Sequence, residues 1–229
     1  VGIHDLQAPT KPLYLGNSGT SMRLLAGLLA GQKFSSILTG DSSLSTRPMK
    51  RVADPLQLMG AAIRLQEGGR APIELSPATL HGIEYVMPVA SAQVKSCLLL
   101  ASLYIQGSTT ITEPAPCRDH TERMLRGFGY PVAVQGRVST VTGGGSLKAR
   151  HIDVPADISS AAFFLVGASI CPGADLILKH VGINPTRIGV LNILKMMGAN
   201  VELLREYEAG GEPVADIRVR YAPLRGIQI

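Results

Sequence analysis

The sequence has no tryptophan, and four phenylalanines and six tyrosines bring the aromatic share to only 4% of 229 residues. Aromatic stacking on nucleic acid is therefore disfavoured, and no Lys/Arg block or zinc-finger spacing offers another route to it. No apolar run reaches the ~20 residues of a membrane-spanning helix. The three cysteines, Cys97, Cys117 and Cys171, are odd in number, widely spaced and without a CxxC or Cys/His pattern. They predict neither a disulfide framework nor a metal site, and they read as free thiols of a reducing cytoplasm. Residues 1–12 lack the basic start and apolar core of a secretory signal, so a cytoplasmic location is expected.

Charge is sparse too, at 17% of residues against 45% hydrophobic, which is a globular composition. The charge present leans positive, at +5 net. With nucleic acid disfavoured, arginines scattered beside Gly/Ser turns point to a small phosphorylated or carboxylated ligand.

An internal repeat sets the expected architecture. The segments DPLQLMG (54–60), ERMLRGFG (122–129) and LNILKMMG (191–198) each end an amphipathic pattern on a glycine, and Gly60, Gly129 and Gly198 fall at equal intervals of 69 residues. Glycine just past a helix end accepts the left-handed conformation that closes it. Around these anchors each unit reads β-α-β-α-β-β. First helices are predicted near 18–30, 91–105 and 159–170, and second helices near 47–59, 119–128 and 186–197. The third unit should begin with a strand over 151–156. The first helices, with cores RLLAGLLAG, CLLLASLYI and AAFFLVGASI, are apolar nearly all round and are expected to be buried.

Small polar residues recur where each unit enters its first helix. In LYLGNSGTSMRLLAG (13–27), Asn17, Ser18, Gly19 and Thr20 stand at a strand-to-helix turn. Free amides and the helix dipole there favour an anion, although the same residues also serve as ordinary caps. Arg47 precedes Pro48 at a second helix start, where its guanidinium can grip a carboxylate or phosphate through two hydrogen bonds. Ser91 opens the next buried helix, followed by Ala92, Gln93 and Lys95. Asp157 and Ser159 repeat the cap in the third unit, and Arg187 of NPTR repeats the placement of Arg47. Asp119 reads as the N-cap of its helix. Arg23 fits either an exposed helical arginine or a contributor to the positive field.

Longer stretches carry a resemblance. LGNSGTSMR (15–23), STRPMKRVADPLQLMGA (45–61), PVASAQVKSCLLLA (88–101), RDHTERMLRGFG (118–129), VPADISSAAFFLVGA (154–168) and NPTRIGVLNILKMMGA (184–199) resemble the 5-enolpyruvylshikimate-3-phosphate synthase family across nearly the whole chain. The ASAQVKS and RDHTE forms look like its glyphosate-tolerance-associated bacterial branch. The resemblance implies an α/β (α+β) enolpyruvyl transferase fold of two lobes, built from β-α-β-α-β-β units around buried helices as an inside-out α/β barrel. Residues 1–153 would then supply two units of the first lobe, and residues 154–229 the hinge and one unit of the second. The chain would be a fragment lacking an N-terminal segment and most of the second lobe, inactive alone.

The implied reaction moves the enolpyruvyl group of phosphoenolpyruvate to the 5-hydroxyl of shikimate 3-phosphate and releases phosphate, with no metal or organic cofactor. Glyphosate is an implied inhibitor, and the complete protein is expected to be a monomer without nucleic-acid or membrane partners. Residue by residue, the resemblance places Gly19 and Arg47 at phosphoenolpyruvate, with Arg47 stabilising transition-state charge. It places Ser91, Ala92 (through its backbone), Gln93 and Arg118 at shikimate 3-phosphate, with Gln93 near both ligands. Asn17, Thr20 and Lys95 are subsidiary candidates. Two alternatives stand beside this reading. One is the related transferase acting on UDP-N-acetylglucosamine, which needs a reactive cysteine. The other is a non-catalytic anion-binding fragment.

Overall fold

The computed structural model describes residues 2–228. Contacts divide the chain into two compact units, Val1–Cys117 with Gly129–Lys148, and Arg118–Phe128 with Ala149–Ile229. The division along the chain thus falls at Lys148/Ala149, and the short segment 118–128 groups with the second unit.

The first unit holds two of the repeats. One comprises β1 (Leu13–Tyr14), α1 (Gly19–Ala30), β2 (Ser36–Thr39), α2 (Ser42–Ser45), α3 (Lys50–Leu58), β3 (Ala62–Gln66) and β4 (Arg70–Ser76). The helix expected over 47–59 is α3, which starts three residues later, and the short α2 precedes it as a separate helical turn. Asp41 caps α2 by accepting from the Leu44 amide at 2.7 Å, and α3 starts only after Pro48, as a proline disfavours helical geometry in the residue before it. The next repeat comprises β5 (Glu84–Val86), α4 (Ala92–Ala101) with a 3-10 turn at Ser102–Tyr104, β6 (Ser108–Thr112), α5 (His120–Gly127), β7 (Ala133–Gln135) and β8 (Val138–Thr142). Of these, α5 lies in the second unit.

The second unit adds α6 (Ile158–Ile170), β9 (Asp175–Gly182), α7 (Gly189–Met196), β10 (Asn200–Ala209) and β11 (Glu212–Arg220). The strand expected over 151–156 is reduced to one parallel bridge, Ala156 to Val181. Its Pro155 has no N–H to give a ladder. Even so, the bridge keeps the pattern. The sheets run β1-β2-β4-β3, β5-β6-β8-β7 and β9-β11-β10, with β1–β2 and β5–β6 parallel and the remaining pairs antiparallel. Three repeats thus share one strand order. Among the described residues the three sheets remain separate. Gly60, Gly129 and Gly198 take φ of 93°, 78° and 89°, the left-handed values their positions predicted.

The core of the first unit is a helix pair. Gly27 of α1 lies so close to α4 that a Cβ there would sit 2.0 Å from the Cys97 carbonyl oxygen. Met22, Ala26 and Leu29 on α1, and Val94, Cys97, Leu98 and Leu99 on α4, are buried. The third first-helix departs from expectation. On α6, Ile158, Ala161, Leu165 and Ala168 pack with the sheet residues Val181, Ala215, Ile217 and Val219. Its opposite face, however, leaves Phe163 81% and Phe164 61% exposed. A helix apolar all round needs cover on two sides, and this one has it on one.

Candidate functional site

Three turns of the first unit bring the candidate residues together. The first is the start of α1. Ser18 caps it by accepting from the Ser21 amide at 3.1 Å, so Gly19 and Thr20 hold the amides of the first turn. The second is the turn between α2 and α3, which carries Arg47. The third is the start of α4, where Ser91 is the N-cap and accepts from the Val94 amide at 3.4 Å.

Side chains link these turns. The Arg47 guanidinium donates to Oδ1 of Asn17 and, at 3.5 Å, to Oγ of Ser43. The Asn17 amide in turn donates to Asp41 at 2.9 Å. Backbone N–H groups and the Asn17 amide hold the Asp41 carboxyl below the usual range, with Arg47 adding to the shift. Gln93 donates to Oγ1 of Thr20 at 2.8 Å and accepts from Arg23 at 2.5 Å. A Cβ on Gly19 would lie 3.1 Å from Nη1 of Arg47 and 3.3 Å from Nη1 of Arg23, so glycine allows both guanidinium groups close to the helix start.

Asn17, Gly19, Thr20, Arg47 and Gln93 are thus gathered into one hydrogen-bonded cluster, with Ser91 and Ala92 immediately before Gln93. Ser91 also lines a cavity of about 220 Å³ with Arg51, Tyr85 and Met87. Burial raises the Tyr85 phenol, with the Asp54 charge adding to it. Lys95 stands apart. It is 2% exposed, and its ammonium is paired with Glu113, whose other oxygen accepts from the Cys117 amide at 3.2 Å. Its charge is neutralised inside the protein. Arg118 belongs to the second unit and is exposed.

Two further residues join the cluster, one left open by the sequence and one not signalled by it. Arg23 is only 8% exposed, and its second nitrogen donates to the Pro48 carbonyl at 3.2 Å. Burial lowers its pKa, and the charges of Arg51 and Arg47 lower it further. The available signal was a lone charge on a helix otherwise apolar all round, which has to be buried with partners. Asp41 is the other, and nothing in sequence tied it to Asn17. Among the described residues, neither Arg23 nor Arg47 has a carboxylate at ion-pair distance. The cluster therefore presents positive charge, two helix N-termini and a fixed amide side chain to whatever binds, which is the chemistry of a carboxylate or phosphate site.

The second unit shows the same plan closed on itself. Arg187 reaches the start of α6, donating to Oγ of Ser159 at 2.6 Å and pairing with Asp157 at 3.0 Å. Asp157 caps α6 through the Ser160 amide at 3.1 Å. Burial pushes its carboxyl up, but the Ser159 and Ser160 amides and Arg187 outweigh that, and the net shift is down. A nearby cavity of about 230 Å³ is lined by His120, Asn184, Arg187 and Glu212. Nδ1 of His120 lies 2.7 Å from Glu212, and Asn184 donates to Asp119 and Glu212 at 2.8 and 3.0 Å. Asp119 precedes α5 as expected but does not cap it, because its carboxylate is taken by Asn184 and by Arg123 at 2.8 Å.

Two of the three thiols are unlike a nucleophile. Burial pushes Cys97 up to about 12 and also raises Cys117, where the Glu113 charge adds to the effect.

Against known proteins, the family described as EPSP synthase (3-phosphoshikimate 1-carboxyvinyltransferase) matches residues 2–229. The protein named 3-phosphoshikimate 1-carboxyvinyltransferase from Alkalilimnicola ehrlichii is 65% identical over the whole chain, which covers 52% of that relative. Its namesake from Methylococcus capsulatus is 64% identical, with 53% of it covered. The solved EPSP synthase of Acinetobacter baumannii is 56% identical and superposes with a TM-score of 0.92 over all of this chain and 52% of its own. The chain therefore spans about half the length of the relatives it matches.

Proposed function

The chain belongs to the EPSP synthase family, and from that premise we propose that the protein containing it transfers the enolpyruvyl group of phosphoenolpyruvate to the 5-hydroxyl of shikimate 3-phosphate, releasing phosphate. The observation that carries this reading is the cluster in the first unit, in which Arg47 and Arg23 flank Gly19 at the start of α1 without a carboxylate at ion-pair distance among the described residues. Phosphoenolpyruvate brings a carboxylate and a phosphate, and both suit guanidinium forks and helix amides. As the hydroxyl adds to the enol carbon and phosphate departs, charge moves over the oxygens of the transferred group. A pre-placed Arg47 stabilises that charge without reorganising. Ser91, the Ala92 amide, Gln93 and Arg118 are assigned to shikimate 3-phosphate. Asn17 and Thr20 hold Arg47 and Gln93 in place.

Several finer points belong to the same reading. Residues 1–153 form the substrate-binding part of one lobe, and 154–229 the hinge and part of another. The protein is a cytoplasmic monomer that uses no cofactor. Glyphosate competes at Gly19, where the lack of a methyl leaves room for it. The 229-residue chain alone does not turn over. The raised thiols favour this reaction over a transferase that depends on a reactive cysteine.

The test is product formation by a protein of the relatives' full length that carries this chain. Release of phosphate from phosphoenolpyruvate should require shikimate 3-phosphate, and UDP-N-acetylglucosamine should not replace it. Turnover with the nucleotide sugar instead, or with neither acceptor, sinks the reading.

A further inference from the structure

Arg23 does something that an arginine kept for stability alone would not need to do. It is buried, yet its partners are neutral oxygens: Oε1 of Gln93 at 2.5 Å and the Pro48 carbonyl at 3.2 Å. A buried cation is ordinarily matched by a carboxylate, and Arg23 has none at ion-pair distance among the described residues. Its Nε is buried without a partner as well. One guanidinium therefore ties together three segments that each carry a candidate ligand residue. These are α1 with Gly19 and Thr20, the turn with Arg47, and the start of α4 with Gln93.

We propose that Arg23 is a positioning residue for the enolpyruvyl transfer, and that it acts by locking the side-chain amide of Gln93 so that this residue meets its ligand as a hydrogen-bond donor. The proposal rests on the function proposed above. An amide can present either its oxygen or its NH₂ group, and the two orientations have nearly the same shape. A guanidinium has donors only, so it accepts just one of them, with Oε1 turned inward. Nε2 then faces the helix start, where one N–H goes to Oγ1 of Thr20 at 2.8 Å. The other N–H remains for a ligand oxygen that accepts, such as a carboxylate, phosphate or ether oxygen. The tie to Pro48 fixes the neighbouring Arg47 by the same fork. A lysine at position 23 has no planar fork and cannot hold both ties in one geometry.

A double-mutant cycle in the full-length protein tests this, using Arg23→Met, Gln93→Ala and the pair, with Arg23→Lys alongside. Each single change is expected to lower kcat/KM by about 100-fold, and the pair should fall within about threefold of the worse single, because Arg23 acts through Gln93. Arg23→Lys should recover about a tenth of the wild-type value by keeping one tie. Independent losses that multiply in the pair would overturn the proposal, as would Arg23→Met staying within about threefold of wild type. If Arg23→Met does not fold, Arg23→Lys takes its place in the same cycle.

A second readout separates this idea from the proposed reaction. In the 229-residue chain, the Gln93 side-chain amide protons should exchange slowly with water, and Arg23→Lys should shift their NMR signals and speed that exchange. Unchanged signals overturn the positioning role even if the enzyme is active. A shift in a protein that turns nothing over leaves the Arg23–Gln93 lock standing and removes the reaction assigned to it.

Discussion

Helices α1 and α6 open equivalent repeats and have similar sequences, yet the protein treats them differently. Both have a capped start, small residues along their length and a glycine about three-quarters of the way through: Gly27 in α1 and Gly167 in α6. At Gly27 the α4 backbone is in contact, whereas at Gly167 there is nothing within 4 Å of where a Cβ would be. The more apolar of the two, α6, is the one with phenylalanines in water. Apolar composition states that a helix will be stable when covered, and the covering surface has to come from elsewhere. Their N-termini differ in the same sense. At α1 a neutral Asn17 receives Arg47, so the positive charge stays available. At α6 the carboxylate of Asp157 already answers Arg187. One start is open to an anion and the other carries its own.

The sharpest way to break this comparison is to remove the two arginines in turn. In the full-length protein, Arg47→Ala should reduce kcat/KM for phosphoenolpyruvate by about 10³-fold, or about 4 kcal/mol of transition-state stabilisation. Arg187→Ala should leave it within about threefold, since its charge is spent on Asp157. Equal losses at both positions would end the distinction between an open and a self-filled site.

The two glycines come next. Gly27→Ala forces a methyl against the Cys97 carbonyl, backbone against backbone, and should destabilise the first unit by about 3 kcal/mol. Gly167→Ala meets open space in a helix and should stabilise by about 0.5–1 kcal/mol. Urea titration of the 229-residue chain measures both, and effects of the same sign would show that the environments of the two helices are alike.

The smallest effect concerns pH. The folded state lowers the Asp157 pKa below its unfolded value of about 3.9. The resulting stability is therefore complete above pH ~4 and is lost as pH falls through the folded pKa. Removing the cation with Arg187→Met should move the acid-unfolding midpoint of the second unit to higher pH, read by circular dichroism. Arg47 adds only a minor part to the lowered Asp41 carboxyl, beside backbone N–H groups and the Asn17 amide, so Arg47→Met should move the acid limb of the first unit the same way but less.

Much of this was legible before any coordinates. The spacing of Gly60, Gly129 and Gly198 gave the repeat, and the capping roles of Ser18, Ser91 and Asp157 followed from short-range rules. These are contacts within three or four residues, so sequence specifies them directly. Asp119 stands at the N-cap position its sequence context predicts, but its side chain answers Arg123 and the distant Asn184 instead of its own helix. The strand expected over 151–156 gave way to a single bridge at Ala156, beside a proline that cannot extend a ladder. Gly19, Arg47 and Gln93 were singled out as candidates, but sequence left open what held them. Arg23, the residue that links them, fits two readings in sequence, an exposed helical arginine or a contributor to the positive field, and only its burial decides between them.

The sequence by itself therefore determined the repeat, the element order, the helix caps and the supply of positive charge near small-residue turns, all of which depend on local geometry and composition. Tertiary structure decided which charges are neutralised and which stay open, and which apolar helices find cover. Lys95 is matched by Glu113 and Arg187 by Asp157, while among the described residues Arg23 and Arg47 have no carboxylate at ion-pair distance. Those outcomes depend on groups tens of residues apart, and electrostatic interaction falls off with distance through the folded protein, not with separation along the chain.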